Sequence, residues 1–74
     1  MKKENWQNLE EQLTERYKIA LETEARMGNE NAKSFLPNNP DFILYRGMCE
    51  AVNCLGLEWE RITENGEIRH VIYK

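Results

Sequence analysis

Between Asn39-Pro40 and Gly56 runs the stretch PDFILYRGMCEAVNCL, and no other part of the chain restricts its fold as much. Asn39 suits a helix cap, Pro40 its first turn and Gly56 the position just past its end, so the residues predict a helix over about 40–55. Past the first turn only Arg46, Glu50 and Asn53 are polar, and their four- and three-residue spacing sets them on one narrow stripe. Nearly all the rest of the circumference is apolar. Such a helix is expected to be covered on more than one side, at the centre of the fold, with another element on each flank. Gly47 lies inside it at a cost of about 1 kcal/mol relative to Ala, which predicts close approach of a neighbouring backbone.

A chain of 74 residues has material for one such core and no more, because at this size only roughly 60 to 65% of the unfolded surface can be buried. A single domain over 1–74 follows. With 41% hydrophobic and 31% charged residues, the composition indicates neither disorder nor a fibrous repeat.

Two further elements are available to cover the central helix. Trp6, Leu9, Leu13, Tyr17, Ala20 and Leu21 recur at three- and four-residue steps in a charged stretch free of Pro and Gly. They predict a helix over about 5–27, with Asn5 as cap and Gly28 as stop. The following NENAKSFLPNN reads as a connector that allows a short helix over 30–36, anchored by Phe35 and Leu36. At the far end Asn65-Gly66 joins two runs of strand-forming residues, the strongest short hairpin signal, and predicts strands over about 57–63 and 67–73. Pairing through that turn sets Arg61 opposite His70, Trp59 opposite Ile72 and Thr63 opposite Ile68 on one mostly apolar face. The fold class is therefore α+β, two main helices packed with a C-terminal two-stranded antiparallel hairpin.

The net charge of −3 is spread along the chain, and the longest basic run is Lys2-Lys3. Phosphate-tracking proteins cluster Lys and Arg, so nucleic-acid binding is disfavoured. The order of elements also matches a winged helix-turn-helix, the alternative reading. A recognition helix needs polar and basic side chains on its outer face, whereas this one offers Arg46 beside Glu50 and Asn53. No apolar stretch approaches the roughly 18 residues of a membrane span, and the N-terminus MKKENWQNLEEQ carries no apolar run, so a cytoplasmic protein without membrane contact is expected.

Chemistry finds few residues to carry it. Arg61 and the only histidine, His70, pair across the hairpin near the rim of its apolar face, but no Ser, Cys or acid is fixed beside them as a catalytic partner. Cys49 and Cys54 lie five apart on one helix, about 7.5 Å in rise and roughly 140° in rotation, beyond disulfide reach and unlike a zinc-ligand spacing. Neither catalysis nor a metal or other cofactor is expected. Binding to protein is. Aromatic and arginine side chains anchor interfaces, which marks Trp6, Tyr17, Arg46, Arg61, Arg69, His70 and Tyr73 as candidate partner-binding residues. The first helix outruns the central one, and its overhang, with the open hairpin edges, is expected to meet a target or a second copy of the chain, a homodimer.

Over residues 45–74, the run YRGMCEAVNCLGLEWERITENGEIRHVIYK resembles very small proteins common in bacteriophage and prophage genomes of low-GC Gram-positive bacteria. In these a helix ending in Leu-Gly leads into a Glu-Trp strand, an Asn-Gly turn and a final Ile-Tyr-Lys strand. The resemblance implies an accessory role, binding and modulating or inhibiting a host protein such as a defence enzyme, in the host cytoplasm.

Overall fold

The computed structural model describes residues 3–30 and 34–74. Its elements are α1 (Lys3–Arg26), α2 (Pro40–Cys54), β1 (Glu58–Glu64) and β2 (Glu67–Tyr73), an α+β fold in which the hairpin follows two helices. Residues 30 and 34–36 are not helical, and the rest of the short helix allowed over 30–36, residues 31–33, lies outside the described residues. Helix α1 begins at Lys3, so Asn5 falls inside its first turn and is not its cap.

Both helices end in the same way. The N–H of Gly56 reaches the Asn53 carbonyl at 3.0 Å and that of Leu57 the Val52 carbonyl at 3.3 Å, while Gly28 and Asn29 make the equivalent bonds to Ala25 and Glu24. This is the Schellman arrangement, and it requires the positive φ of 80° found at Gly56. Its second apolar contact is present too, because Leu57 is buried beside Val52 in the core.

The core joins Leu13 and Tyr17 of α1, Tyr45, Cys49 and Val52 of α2, and Leu57 and Ile72 of the hairpin. Trp6, Leu9, Phe35, Phe42, Met48, Trp59 and Ile68 pack around it. Phe35 anchors the connector by stacking on Phe42, with ring centroids 4.3 Å apart. A buried polar tie locks the helix junction. The Asn39 side chain accepts from the N–H groups of Asp41 and Phe42 at 3.0 and 3.1 Å, and donates to the Ala20 carbonyl at 3.1 Å and the Glu24 carboxylate at 2.7 Å. Glu24 also accepts from Asn29 and from the Leu36 N–H. Burial raises the pKa of this carboxyl, but these three hydrogen bonds together hold it below the usual value.

The hairpin register is the one the Asn65-Gly66 turn dictates, from Glu64 opposite Glu67 to Glu58 opposite Tyr73. In such a ladder alternate residues point their backbone groups outward. On β2 that edge is closed by α1: Thr14 Oγ1 accepts from the His70 N–H at 3.0 Å and Glu10 Oε2 from the Ile72 N–H at 2.7 Å. The overhang of α1, 24 residues against the 15 of α2, is thus used on the hairpin within the chain. The matching edge of β1, at Trp59, Arg61 and Thr63, has no backbone partner among the described residues.

Helix α2 departs from expectation. It is buried along Tyr45, Cys49 and Val52 only, with Phe42 and Met48 half-covered, because α1 and the hairpin both lie on that side. The helix forms a flank of the fold, and its opposite face is open. Among the described residues no backbone approaches Gly47, and an added Cβ there would meet nothing within 4 Å.

Candidate functional site

Two places carry enough organisation to be considered: the histidine under the hairpin, and the open face of α2.

His70 is pointed inward by β2, and with 1% of its surface exposed it sits in the core instead of at the rim. Its Nδ1 lies 3.0 Å from Thr14 Oγ1 and its Nε2 2.8 Å from the Tyr45 hydroxyl. One proton arrangement satisfies every group. Tyr45 donates to Nε2, Nδ1–H donates to Thr14, and Thr14 donates to the Glu10 carbonyl at 3.1 Å while accepting the His70 backbone N–H. The rings of Tyr17, Tyr45 and Trp59 surround the imidazole at centroid distances of 5.5 to 5.7 Å for Tyr17, Tyr45 and Trp59 alike. Burial, and to a lesser degree the nearby Arg61 guanidinium, lowers the His70 pKa to about 4. Burial likewise pushes the Tyr45 hydroxyl and the Cys49 thiol above their ordinary values. A neutral imidazole sealed between two hydroxyls and three aromatic rings is well suited to fix the position of the hairpin on both helices. It is poorly placed to exchange protons with a substrate.

Arg61 lies above this centre with its guanidinium carbon 4.5 Å from the Tyr17 ring centroid, a cation–π contact at the surface. It covers the aromatic core. Cys49 is buried and Cys54 exposed, and among the described residues no group of three or more His, Cys, Asp or Glu is placed to hold a metal ion.

The second place is on α2. At 100° per residue, Ile43, Gly47 and Cys54 fall opposite Tyr45, Cys49 and Val52, flanked on one side by Leu44, Ala51 and the capping Leu55 and on the other by Glu50 and Arg46. Ile43 is 57% exposed, Leu44 47% and Leu55, at the helix cap, 65%. Gly47 and Ala51 form a low saddle between these larger side chains. Beside it a shallow groove of about 370 Å³ is lined by Pro37, Phe42, Ile43, Arg46, Gly47 and Glu50. Arg46 and Glu50 run along one margin, 3.7 Å apart, with most of each side chain in water. Past its first turn the helix is therefore amphipathic in an unusual sense: apolar on the buried side, apolar again on most of the solvent side, and charged only along one seam.

Of the seven residues the sequence marked for partner binding, Arg46 alone borders this face. Tyr17 and His70 are buried within the chain, and Arg61 is laid over Tyr17. Trp6 is half-buried against the core, with an indole N–H that is buried and has no partner among the described residues. Arg69 pairs with Glu64 at 3.3 Å, and the Tyr73 hydroxyl donates to Glu60 at 3.1 Å, both on the outer face of the hairpin. Sequence reading missed Ile43, Leu44 and Leu55. Their signal lies in the apolar circumference of α2, which by itself predicts burial on several sides.

No protein-family model, curated protein or solved structure matches the chain. Among the described residues no helix is long and apolar enough to cross a membrane.

Proposed function

We propose that the chain acts without catalysis, through protein contacts, as a small accessory protein of phage type that binds and modulates or inhibits a host protein in the host cytoplasm. The observation that carries this reading is the solvent-facing apolar stripe of α2. Exposing Ile43, Leu44 and Leu55 together has no benefit to the isolated fold, and exposed apolar patches of this kind mark sites where another polypeptide docks. The buried, neutral state of His70 supports the non-catalytic part, since it leaves the chain's one ordinary proton-transfer group out of reach. The resemblance over 45–74 supports the phage-type role. The winged-helix alternative gains nothing from α2, whose outward side presents apolar groups where base-reading side chains would stand.

The test is affinity capture from a Gram-positive host lysate with the tagged chain and with the tagged double variant Ile43→Glu, Leu55→Glu. Both must give the same far-ultraviolet circular dichroism. The reading predicts a host protein held by the first and lost by the second, because the face completes the binding unit. Equal capture by both, or capture by neither, contradicts it.

A further inference from the structure

We infer that the polypeptide docked on the open face of α2 is a second copy of the chain, packed antiparallel to the first about a two-fold axis level with the midpoint of Met48 and Cys49. The inference rests on the reading of that face as a docking surface and names its occupant.

Charge is the first support. A two-fold axis perpendicular to α2 reverses the helix direction in the second copy, so a residue before the midpoint of Met48 and Cys49 meets one the same distance after it. Arg46 and Glu50 lie on the same margin of the stripe on either side of that midpoint, and their levels in the two copies differ by one residue's rise, about 1.5 Å. Each Arg46 then faces the other copy's Glu50, giving two ion pairs across the interface from groups that in one copy hold each other only at 3.7 Å in water. A parallel two-fold pairing would carry this margin to the other side of the partner's stripe, beside Leu44, Ala51 and Leu55, and leave both charges without a partner.

Shape is the second support. The same operation brings Ile43 and Leu44 of one copy over Cys54 and Leu55 of the other, large groups meeting at both ends of the stripe. Gly47 meets Ala51 near its centre, where their small size permits the helix axes to approach to about 8 Å. This supplies a use for Gly47, which has open space around it in the single chain. The fifteen residues of α2 make a face about 22 Å long and about 10 Å wide. Two such faces cover about 440 Å² in plan, smaller than a standard interface, so weak association, no tighter than the high micromolar range, is expected.

The other open element fits a second copy less well. A two-fold pairing of β1 with itself centred on Arg61 would place Arg61 against its own copy and Glu58 against Glu64, like charges at its centre and at both ends. The dimer through α2 leaves that edge and the outer hairpin face free in each copy.

Sedimentation equilibrium over a concentration series tests the inference, using the full chain, Ile43→Glu/Leu55→Glu, Arg46→Glu and Glu50→Arg. The full chain is expected to approach twice its 8.8 kDa mass as its concentration nears the millimolar range, and the double variant to stay at 8.8 kDa. Arg46→Glu and Glu50→Arg should each self-associate at least about tenfold more weakly, and their equimolar mixture should regain the original association, since every cross-chain pair is then of opposite charge. A full chain that remains at 8.8 kDa at millimolar concentration, or association untouched by the double variant, overturns the inference, and a mixture that does not recover overturns the antiparallel geometry. If the full chain is monomeric while the stripe variant still loses a captured host protein, the inference fails and the proposed function stands. A dimer that captures nothing reverses that outcome.

Discussion

Acid should loosen this fold well before its carboxylates titrate, and the cause is one residue. In the unfolded chain His70 takes up a proton near its ordinary pKa of 6.5, whereas in the folded chain burial and Arg61 delay that until about 4. Between those values the unfolded state binds one more proton than the folded state, so stability falls as pH falls, by about 1.4 kcal/mol per unit. Lowering the pH from 7 to 5 therefore removes about 2 kcal/mol, and reaching pH 4 removes about 3 kcal/mol, a large share of what a domain of this size possesses. Stability from this source is complete above pH 6.5. Urea unfolding followed by Trp fluorescence at half-unit pH steps measures the slope, and the single histidine gives one imidazole resonance whose titration in the folded protein can be read directly by NMR. His70→Gln should flatten the profile between pH 6.5 and 5, whatever its effect on stability at neutral pH. A folded-state imidazole that titrates near 6.5, or stability that is level between pH 7 and 5, would refute the burial of a neutral ring between Thr14 and Tyr45.

Replacing Arg61 with Met should raise the His70 pKa but leave it below 6.5, since burial is the larger cause; the same NMR titration checks it. Leu13→Ala removes a fully buried side chain from the centre of the core and should cost about 2 to 5 kcal/mol in urea unfolding. Asn39→Ala deletes the α2 cap and takes a donor from the buried Glu24 carboxylate, for a loss of about 2 to 3 kcal/mol in the same assay, with the start of α2 losing hydrogen-exchange protection first. Gly47→Ala should instead stabilise the single chain by about 1 kcal/mol, because the added methyl meets open space on an exposed helical turn.

The local signals in this sequence were strong where a single residue type is required by backbone geometry. Asn65-Gly66 fixed the register of the whole hairpin, and Asn39, Pro40 and Gly56 set the limits of α2, because caps and primed turns depend on neighbours a few residues away. The inward depth of His70 was not legible, since it depends on Thr14, Tyr45 and Tyr17, up to 56 residues distant in sequence. Nor was the closure of the β2 edge by Glu10 and Thr14, polar residues that periodicity assigns to solvent. The error on α2 is the instructive one. Hydrophobicity around a helix says that the surface needs covering but not whether the cover comes from the same chain, and here α1 was already engaged by the hairpin. The residues of the candidate site were therefore all visible in the sequence, and their exposure was not.

The central claim, that the outer face of α2 is where this chain meets another polypeptide and that a second copy fits it, is tested most directly by mapping dilution. Amide spectra recorded from millimolar to low micromolar concentration should shift at Ile43, Leu44, Gly47, Ala51, Cys54 and Leu55, with Arg46 and Glu50 beside them, while the hairpin stays unchanged. Shifts confined to the β1 edge or to the outer hairpin face, or spectra that do not change with concentration, would contradict it.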